Sequence, residues 1–103
     1  MKRWTQQDFE RSREEDTVSA FYLHAAMCGT CQVASKMLTV VEQLVPNVPI
    51  GETDLNYEEQ IAVDYEVESV PCLLIQKNGD IVKKIYAFQS VPYLLEQLRN
   101  PSA

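Results

Sequence analysis

The sequence predicts an α/β fold, in which helices cover both faces of a central mixed sheet to give a three-layer α/β/α sandwich. Apolar, β-prone segments alternate with segments of helical periodicity along most of the 103 residues. Such alternation is typical of right-handed crossovers between largely parallel strands. An Asn78-Gly79 turn joins the last two strands as a hairpin, which adds an antiparallel edge. The predicted order is therefore β-α-β-α-β-α-β-β-α.

Each predicted element has its own signal. The segments 17–24 and 71–76 are apolar and β-prone, whereas 2–4 is predicted as a brief edge strand. Capping patterns mark three helix starts: Thr5 with Asp8, Asn56 with Glu59, and Ser90. The predicted strands are 2–4, 17–24, 48–54, 71–76 and 80–86, and the predicted helices are 8–15, 28–45, 57–65 and a last one after Ser90.

The spacing of apolar residues also predicts which side chains form the core. In the long helix they recur at helical spacing, while Gln, Lys and Glu occupy the other face. The last helix shows the same pattern. The predicted core side chains are Val33, Met37, Leu38, Val41, Leu44, Val45, Tyr57, Tyr65, Cys72, Val91, Leu94, Leu95 and Leu98.

Composition limits the classes of function. The length fits one domain over residues 1–103, large enough to form a core without a metal or disulfide staple. The net charge is −6 and the Lys and Arg residues are scattered, so we expect no nucleic-acid binding. We expect no membrane span, because no apolar run is long enough, and no secretory signal, because residues 1–8 lack an apolar stretch. These features predict a cytoplasmic protein.

The main functional signal is the pair Cys28 and Cys31, spaced C-x-x-C where a predicted strand meets the long helix. At a helix N-terminus, free N–H groups and the helix dipole favour an anion, which lowers the pKa of a thiol. Cys28 lies in the first turn and is expected to attack a substrate disulfide. Cys31 lies on the same helical face, within reach to resolve the mixed disulfide. The pair predicts thiol–disulfide exchange without a cofactor.

Zinc sites use the same C-x-x-C spacing, but they normally need a second pair of ligands. The candidates for that second pair are Cys72 and His24. We therefore expect no metal at this motif.

A second signal is Val70-Pro71 at the start of a predicted strand, because a proline inside the strand would remove a ladder hydrogen bond. With the Cys-Gly-Thr-Cys motif and the hairpin over residues 73–80, the chain resembles the thioredoxin family over nearly its whole length. The resemblance implies a thioredoxin fold in which Pro71 is cis and faces the active-site disulfide. It implies that the Val70 backbone pairs with the substrate chain. The residues expected to contact the substrate are Met27, Gly29, Thr30, Val70 and Pro71.

This interpretation predicts particular partners. The substrates are expected to be protein disulfides. Because the redox couple is the protein's own pair of sulfurs, a reductase or a low-molecular-weight thiol is expected to supply the electrons.

The chain departs from the family's pattern around the motif. Met27 and Thr30 stand where thioredoxins have Trp and Pro, and Thr30 is a candidate to donate a hydrogen bond toward the Cys28 sulfur. Such a bond would stabilise the thiolate and make the disulfide more oxidising. Tyr22 and Glu52 stand where thioredoxins have a buried Asp and its Lys partner. The two residues that serve proton transfer at the second cysteine in the family are therefore replaced here, which puts that route in doubt for Cys31.

Two titratable side chains are candidates to tune the cysteines instead. Glu52 is one, if partial burial raises its pKa. His24 is the other, because it is predicted on the same strand face as Tyr22, and an imidazolium there would lower the Cys28 pKa. The alternative is that neither takes part in the chemistry.

Two other classes of function stay open. In one, the same surface docks a partner and the sulfurs do not cycle. In the other, Cys28, Cys31 and Cys72 together form a thiol redox or metal sensor.

Overall fold

A computed structural model describes residues 1–15 and 17–101 and has the predicted order of elements, with one short 3₁₀ turn added. The strands are β1 (Lys2–Arg3), β2 (Val18–His24), β3 (Ile50–Asp54), β4 (Cys72–Lys77) and β5 (Asp80–Ile85). The helices are α1 (Gln6–Glu15), α2 (Gly29–Leu44), α3 (Glu59–Asp64) and α4 (Val91–Arg99), with the 3₁₀ turn (Leu55–Tyr57) before α3. Within these described ranges, no helix has the length and apolar character needed to cross a bilayer.

The five strands form one mixed sheet in the order β1-β3-β2-β4-β5, which confirms the predicted fold class. β1, β3 and β2 are parallel, whereas β4 is antiparallel to β2 and β5 to β4. Consequently the ends of β2 and β3 and the start of β4 meet at one edge. There His24 lies opposite Asp54, and Leu23 lies opposite Cys72. This edge carries the loop from β2 to the cysteine pair.

Alternation of side chains along the central strands divides the core between the two faces of the sheet. On one face, here the α2 face, α2 and α4 cover a buried layer that includes Ala20, Tyr22, Ala34, Leu38, Val41, Leu73, Ile75, Leu94 and Leu98. On the other, here the α1 face, α1 and α3 cover a smaller layer of Phe9, Phe21, Leu23, Ile61, Cys72 and Leu74.

Two of the predicted helix caps are confirmed. The Thr5 hydroxyl accepts from the Asp8 N–H at 3.2 Å, and the Thr5 N–H donates to the Asp8 carboxylate at 2.9 Å. Because Thr5 is the cap, α1 begins at Gln6 rather than at the predicted Asp8. Ser90 caps α4 by accepting from the Tyr93 N–H at 3.2 Å.

The predicted cap at Asn56 with Glu59 is wrong. Asp54 instead accepts from the Asn56 N–H at 2.9 Å and starts the 3₁₀ turn, so the predicted helix over 57–65 is divided. Tyr57 lies in that turn rather than on the inward face of α3, and it is 79% exposed. Its predicted place in the core is therefore wrong.

The core prediction for α2 is partly wrong as well. The buried residues within the helix are Cys31, Ala34, Leu38 and Val41, so the inward stripe includes a cysteine and an alanine. The larger Val33 and Leu44 lie outside this stripe and are 55% and 52% exposed. The predicted core residues that are only partly buried against the two layers are Met37, Tyr65, Val91 and Leu95.

Candidate active site

The loop after β2 places Cys28 as the N-cap of α2, in extended conformation with φ −123° and ψ 105°. Cys28 and Cys31 form a disulfide with their Cα atoms 5.2 Å apart. The Cys31 N–H donates to the Cys28 sulfur at 3.2 Å. The sulfur of Cys28 therefore occupies the position where a helix N-terminus stabilises negative charge.

The two cysteines differ in exposure. Cys28 is half-buried at the molecular surface, whereas Cys31 is buried in the stripe that α2 turns toward the sheet. Solvent therefore reaches Cys28, whereas Cys31 is almost completely shielded from it.

Exposed residues of the motif surround Cys28. The Thr30 hydroxyl lies 3.4 Å from the Cys28 sulfur and, since a disulfide sulfur has no proton, it is the donor. Gly29 is exposed, and a Cβ atom there would meet no heavy atom within 4 Å. Met27 is 99% exposed, so it presents a large apolar side chain to solvent.

The segment before β4 lies against the disulfide. The Val70–Pro71 peptide bond is cis. The Val70 carbonyl oxygen lies 4.0 Å from the Cys28 sulfur. Beside it is an open cavity of about 300 Å³, lined by Thr30, Val33, Ala34, Met37, Pro71, Tyr86, Ala87, Phe88 and Gln89. The half-buried Cys28, a nearby carbonyl and an adjacent groove thus lie side by side.

Tyr22 lies beneath the cysteines and is paired with Glu52 on the neighbouring strand β3. It is buried on the α2 face, and its hydroxyl donates to the Cys31 carbonyl oxygen at 2.6 Å. The same hydroxyl is 2.9 Å from the Ser35 Oγ atom. Burial raises the pKa of Tyr22 above its usual 10.0, and the Glu52 carboxylate raises it further. The hydroxyl therefore keeps its proton at neutral pH and remains a donor.

His24 and Glu52, which were predicted as separate tuning groups, contact each other. The His24 Nε2 atom lies 2.9 Å from the Glu52 carboxylate, and both side chains are 21% exposed. The Arg3 Nε atom lies 3.8 Å from the other carboxylate oxygen. The His24 ring also lies 5.2 Å from the Tyr22 ring.

Sequence reasoning missed Ser35 and Arg3. Ser35 follows Cys31 by one helical turn, so the i,i+4 spacing placed it on the same helix face as Cys31. Arg3 became a partner only through the pairing of β1 with β3, in which it lies opposite Glu52.

Cys72 is separated from the other cysteines by the sheet. It lies on the α1 face, whereas Cys31 packs on the α2 face. Burial raises the pKa of Cys72 to about 12. Its predicted place in the core is confirmed. Over residues 1–15 and 17–101, no group of three or more His, Cys, Asp or Glu side chains is arranged to hold a metal ion.

A mixed sheet of this order, with a disulfide at the start of a helix, defines a thiol–disulfide oxidoreductase of thioredoxin fold. The family model described as Thioredoxin matches residues 1–100. The chain is also 45% identical over 97 residues to the thioredoxin-like protein YusE of Bacillus subtilis (strain 168). This match covers 94% of this chain and 92% of that protein. The chain belongs to the thioredoxin family.

Solved structures of distant sequence share the fold. A mutant thioredoxin from Halobacterium salinarum NRC-1 has a TM-score of 0.88 at 17% identity, covering 100% of this chain and 90% of that one. Oxidized mitochondrial thioredoxin 3 from Saccharomyces cerevisiae has a TM-score of 0.86 at 22% identity, covering 97% and 94%.

Proposed function

We propose that this protein reduces protein disulfides, with Cys28 as the nucleophile and Cys31 as the resolving thiol. The observation that carries the proposal is the difference between the two sulfurs. Cys28 is accessible at the N-terminus of α2 and accepts the Cys31 N–H at 3.2 Å, whereas Cys31 is buried. A thiolate is the attacking species in thiol–disulfide exchange, and this position stabilises it.

The reaction has two exchange steps. In the first, the Cys28 thiolate forms a bond to one substrate sulfur, the substrate S–S bond breaks, and the other substrate sulfur leaves as a thiolate. In the second, the deprotonated Cys31 attacks the Cys28 sulfur, so that the Cys28–Cys31 disulfide forms and the mixed disulfide breaks. Two electrons pass to the substrate, which takes up two protons.

The surroundings of Cys28 have separate roles in this proposal. The Val70 carbonyl, 4.0 Å from the sulfur, supports pairing with an extended substrate chain, and Pro71 lines the adjacent groove. Met27 and Gly29 offer exposed contact surface beside the sulfur. Thr30 donates to the sulfur and stabilises its negative charge.

We propose that the paired His24 and Glu52 tune the electrostatic surroundings of the two cysteines. Their 2.9 Å contact, and the 5.2 Å between the His24 ring and the ring of Tyr22, which is bonded to the Cys31 carbonyl, support this assignment. A reductase or a low-molecular-weight thiol returns the disulfide to the dithiol. We place this cycle in the cytoplasm, where such donors keep thiols reduced.

The test is capture of a substrate by the reduced Cys31→Ser variant. The probe is a fluorescent peptide closed by one disulfide; turnover is measured with dithiothreitol as electron donor, and capture is measured after the dithiothreitol has been removed. Turnover is expected to fall by about 10²-fold or more, because release then depends on an external thiol rather than on an intramolecular one. A mixed disulfide between the peptide and Cys28 should accumulate and be visible by mass.

Two variants serve as controls for that capture. Cys28→Ser should form no mixed disulfide, and Cys72→Ala should turn over like the unmodified chain. If Cys31→Ser holds the peptide only without a covalent bond, the protein is a docking module and the proposed exchange is wrong.

A further inference from the structure

A pair of hydroxyl groups lies beneath the first turn of α2. The Tyr22 hydroxyl donates its single proton to the Cys31 carbonyl oxygen at 2.6 Å. Its contact with Ser35 Oγ at 2.9 Å must then be a bond in which Ser35 donates. The hydrogen bonds therefore run in one direction, from Ser35 to Tyr22 to Cys31.

This arrangement holds Cys31 at both of its backbone polar groups. Its carbonyl accepts from Tyr22, while its N–H donates to the Cys28 sulfur at 3.2 Å. The contact is shielded from water, because Tyr22 is 1% exposed and Cys31 is 3% exposed. A hydrogen bond in such surroundings is stronger than one that competes with solvent.

The two redox forms depend on this contact to different extents. In the oxidised form, the covalent Cys28–Cys31 bond fixes the first turn of α2. In the dithiol form, the turn keeps its position only through hydrogen bonds and packing. A group that holds Cys31 in place thus contributes more to the reduced form than to the disulfide.

We propose that Tyr22 is a positioning residue, which together with Ser35 holds the Cys31 peptide so that its N–H stays on the Cys28 thiolate. The inference rests on the proposed function and adds a group that sets the reduction potential. Tyr22 acts through the backbone of Cys31 and does not itself exchange a proton. Its ring is fixed for this role by Phe88, 5.8 Å away on the α2 face, and by His24 on its own strand, 5.2 Å away.

The experiment compares Tyr22→Phe and Ser35→Ala with the unmodified chain. The redox equilibrium is measured in glutathione buffers, and the pH dependence of Cys28 alkylation is followed by mass. Tyr22→Phe is expected to shift the equilibrium constant toward the disulfide by about three- to tenfold, the size of one net hydrogen bond. A tenfold change corresponds to about 30 mV in the reducing direction. The Cys28 alkylation midpoint should move to higher pH, and Ser35→Ala should shift both values less, in the same direction.

Tyr65→Phe is the matched control. It removes a hydroxyl that contacts the Glu10 carboxylate at 3.3 Å, in a ring that packs on the α1 face. Both redox values should stay unchanged in this variant.

The outcomes separate this inference from the proposed function. If Tyr22→Phe keeps the potential and the alkylation midpoint of the unmodified chain, Tyr22 only fills space and the inference is wrong. If Tyr22→Phe does not fold, Ser35→Ala decides the question by the presence or absence of its shift. If the unmodified chain forms no reversible disulfide, the proposed function itself fails.

Discussion

A large polar side chain is buried on each face of the sheet, and the two have different consequences. Tyr22 on β2 and Gln76 on β4 are both 1% exposed. On the α2 face, the Tyr22 hydroxyl is bonded to the backbone of Cys31. The Gln76 amide nitrogen instead lies 2.7 Å from the Phe9 carbonyl oxygen and 2.8 Å from the hydroxyls of both Ser12 and Ser19, beneath α1.

The position of each residue along the sheet explains the difference. Gln76 pairs with Ser19 near the start of β2, whereas Tyr22 lies nearer the end of β2 that leads into the cysteine loop. The Gln76 hydrogen bonds hold α1 against the sheet, and in the described part of the chain their partners are Phe9, Ser12 and Ser19 rather than Cys28 or Cys31. The buried polar group therefore contacts the first turn of α2 on the α2 face, and it holds α1 against the sheet on the α1 face.

The largest effect that separates the two faces is expected from Gln76→Ala. The change removes the amide group that contacts Phe9, Ser12 and Ser19 and leaves a cavity, so it should lower the free energy of unfolding by about 2 kcal/mol. The carbonyl oxygen of Gln76 has no hydrogen-bond partner among residues 1–15 and 17–101, so its loss offsets part of the cost. Urea unfolding of the reduced protein measures the change.

Gln43→Ala, on the exposed side of α2, is the control for that measurement and should change stability by less than about 0.5 kcal/mol. The redox equilibrium of Gln76→Ala should equal that of the unmodified chain. A shift as large as the one expected for Tyr22→Phe would contradict the division between the two faces.

The smallest effect is expected at Cys72, whose thiol lies on the α1 face. Because burial raises its pKa to about 12, almost none of it is thiolate at pH 8, and thiolate forms only as the pH rises toward that value. Iodoacetamide should therefore modify Cys28 but not Cys72 in the native reduced protein, as read by mass. In denaturant both should react.

The position of Cys72 also distinguishes a catalyst that uses Cys28 and Cys31 from a sensor that uses all three cysteines. Oxidation should give the Cys28–Cys31 disulfide and leave Cys72 free. A disulfide between Cys72 and either of the other two would mean that the sheet does not keep them apart, and the sensor would become the better interpretation.

Local patterns in the sequence predicted most of the fold. The strand alternation, the Asn78-Gly79 turn and the caps at Thr5 and Ser90 depend on neighbours within a few residues, so their signals are local. The cap at Asn56 was predicted wrongly because Asp54 accepts from the Asn56 N–H and starts a 3₁₀ turn, which places Asn56 inside that turn.

The cysteine motif was also a local signal, but the contacts around it were not. Helix position alone predicted Cys28 as the accessible cysteine. The bond from Tyr22 to Cys31 and the pair of His24 with Glu52 depend on how α2 packs on the sheet and on strand register. Spacing along one segment contains no such information. Tyr22 therefore stood out in the sequence only as a departure from the family's pattern.

The most direct test of the account is the redox state of Cys28 and Cys31 in graded mixtures of reduced and oxidised glutathione, read by alkylation and mass. The account predicts one reversible two-electron transition, in which these two cysteines change together and Cys72 remains a thiol. If no Cys28–Cys31 disulfide forms at any ratio, or if it forms and cannot be reduced, the protein is not a thiol–disulfide exchange catalyst.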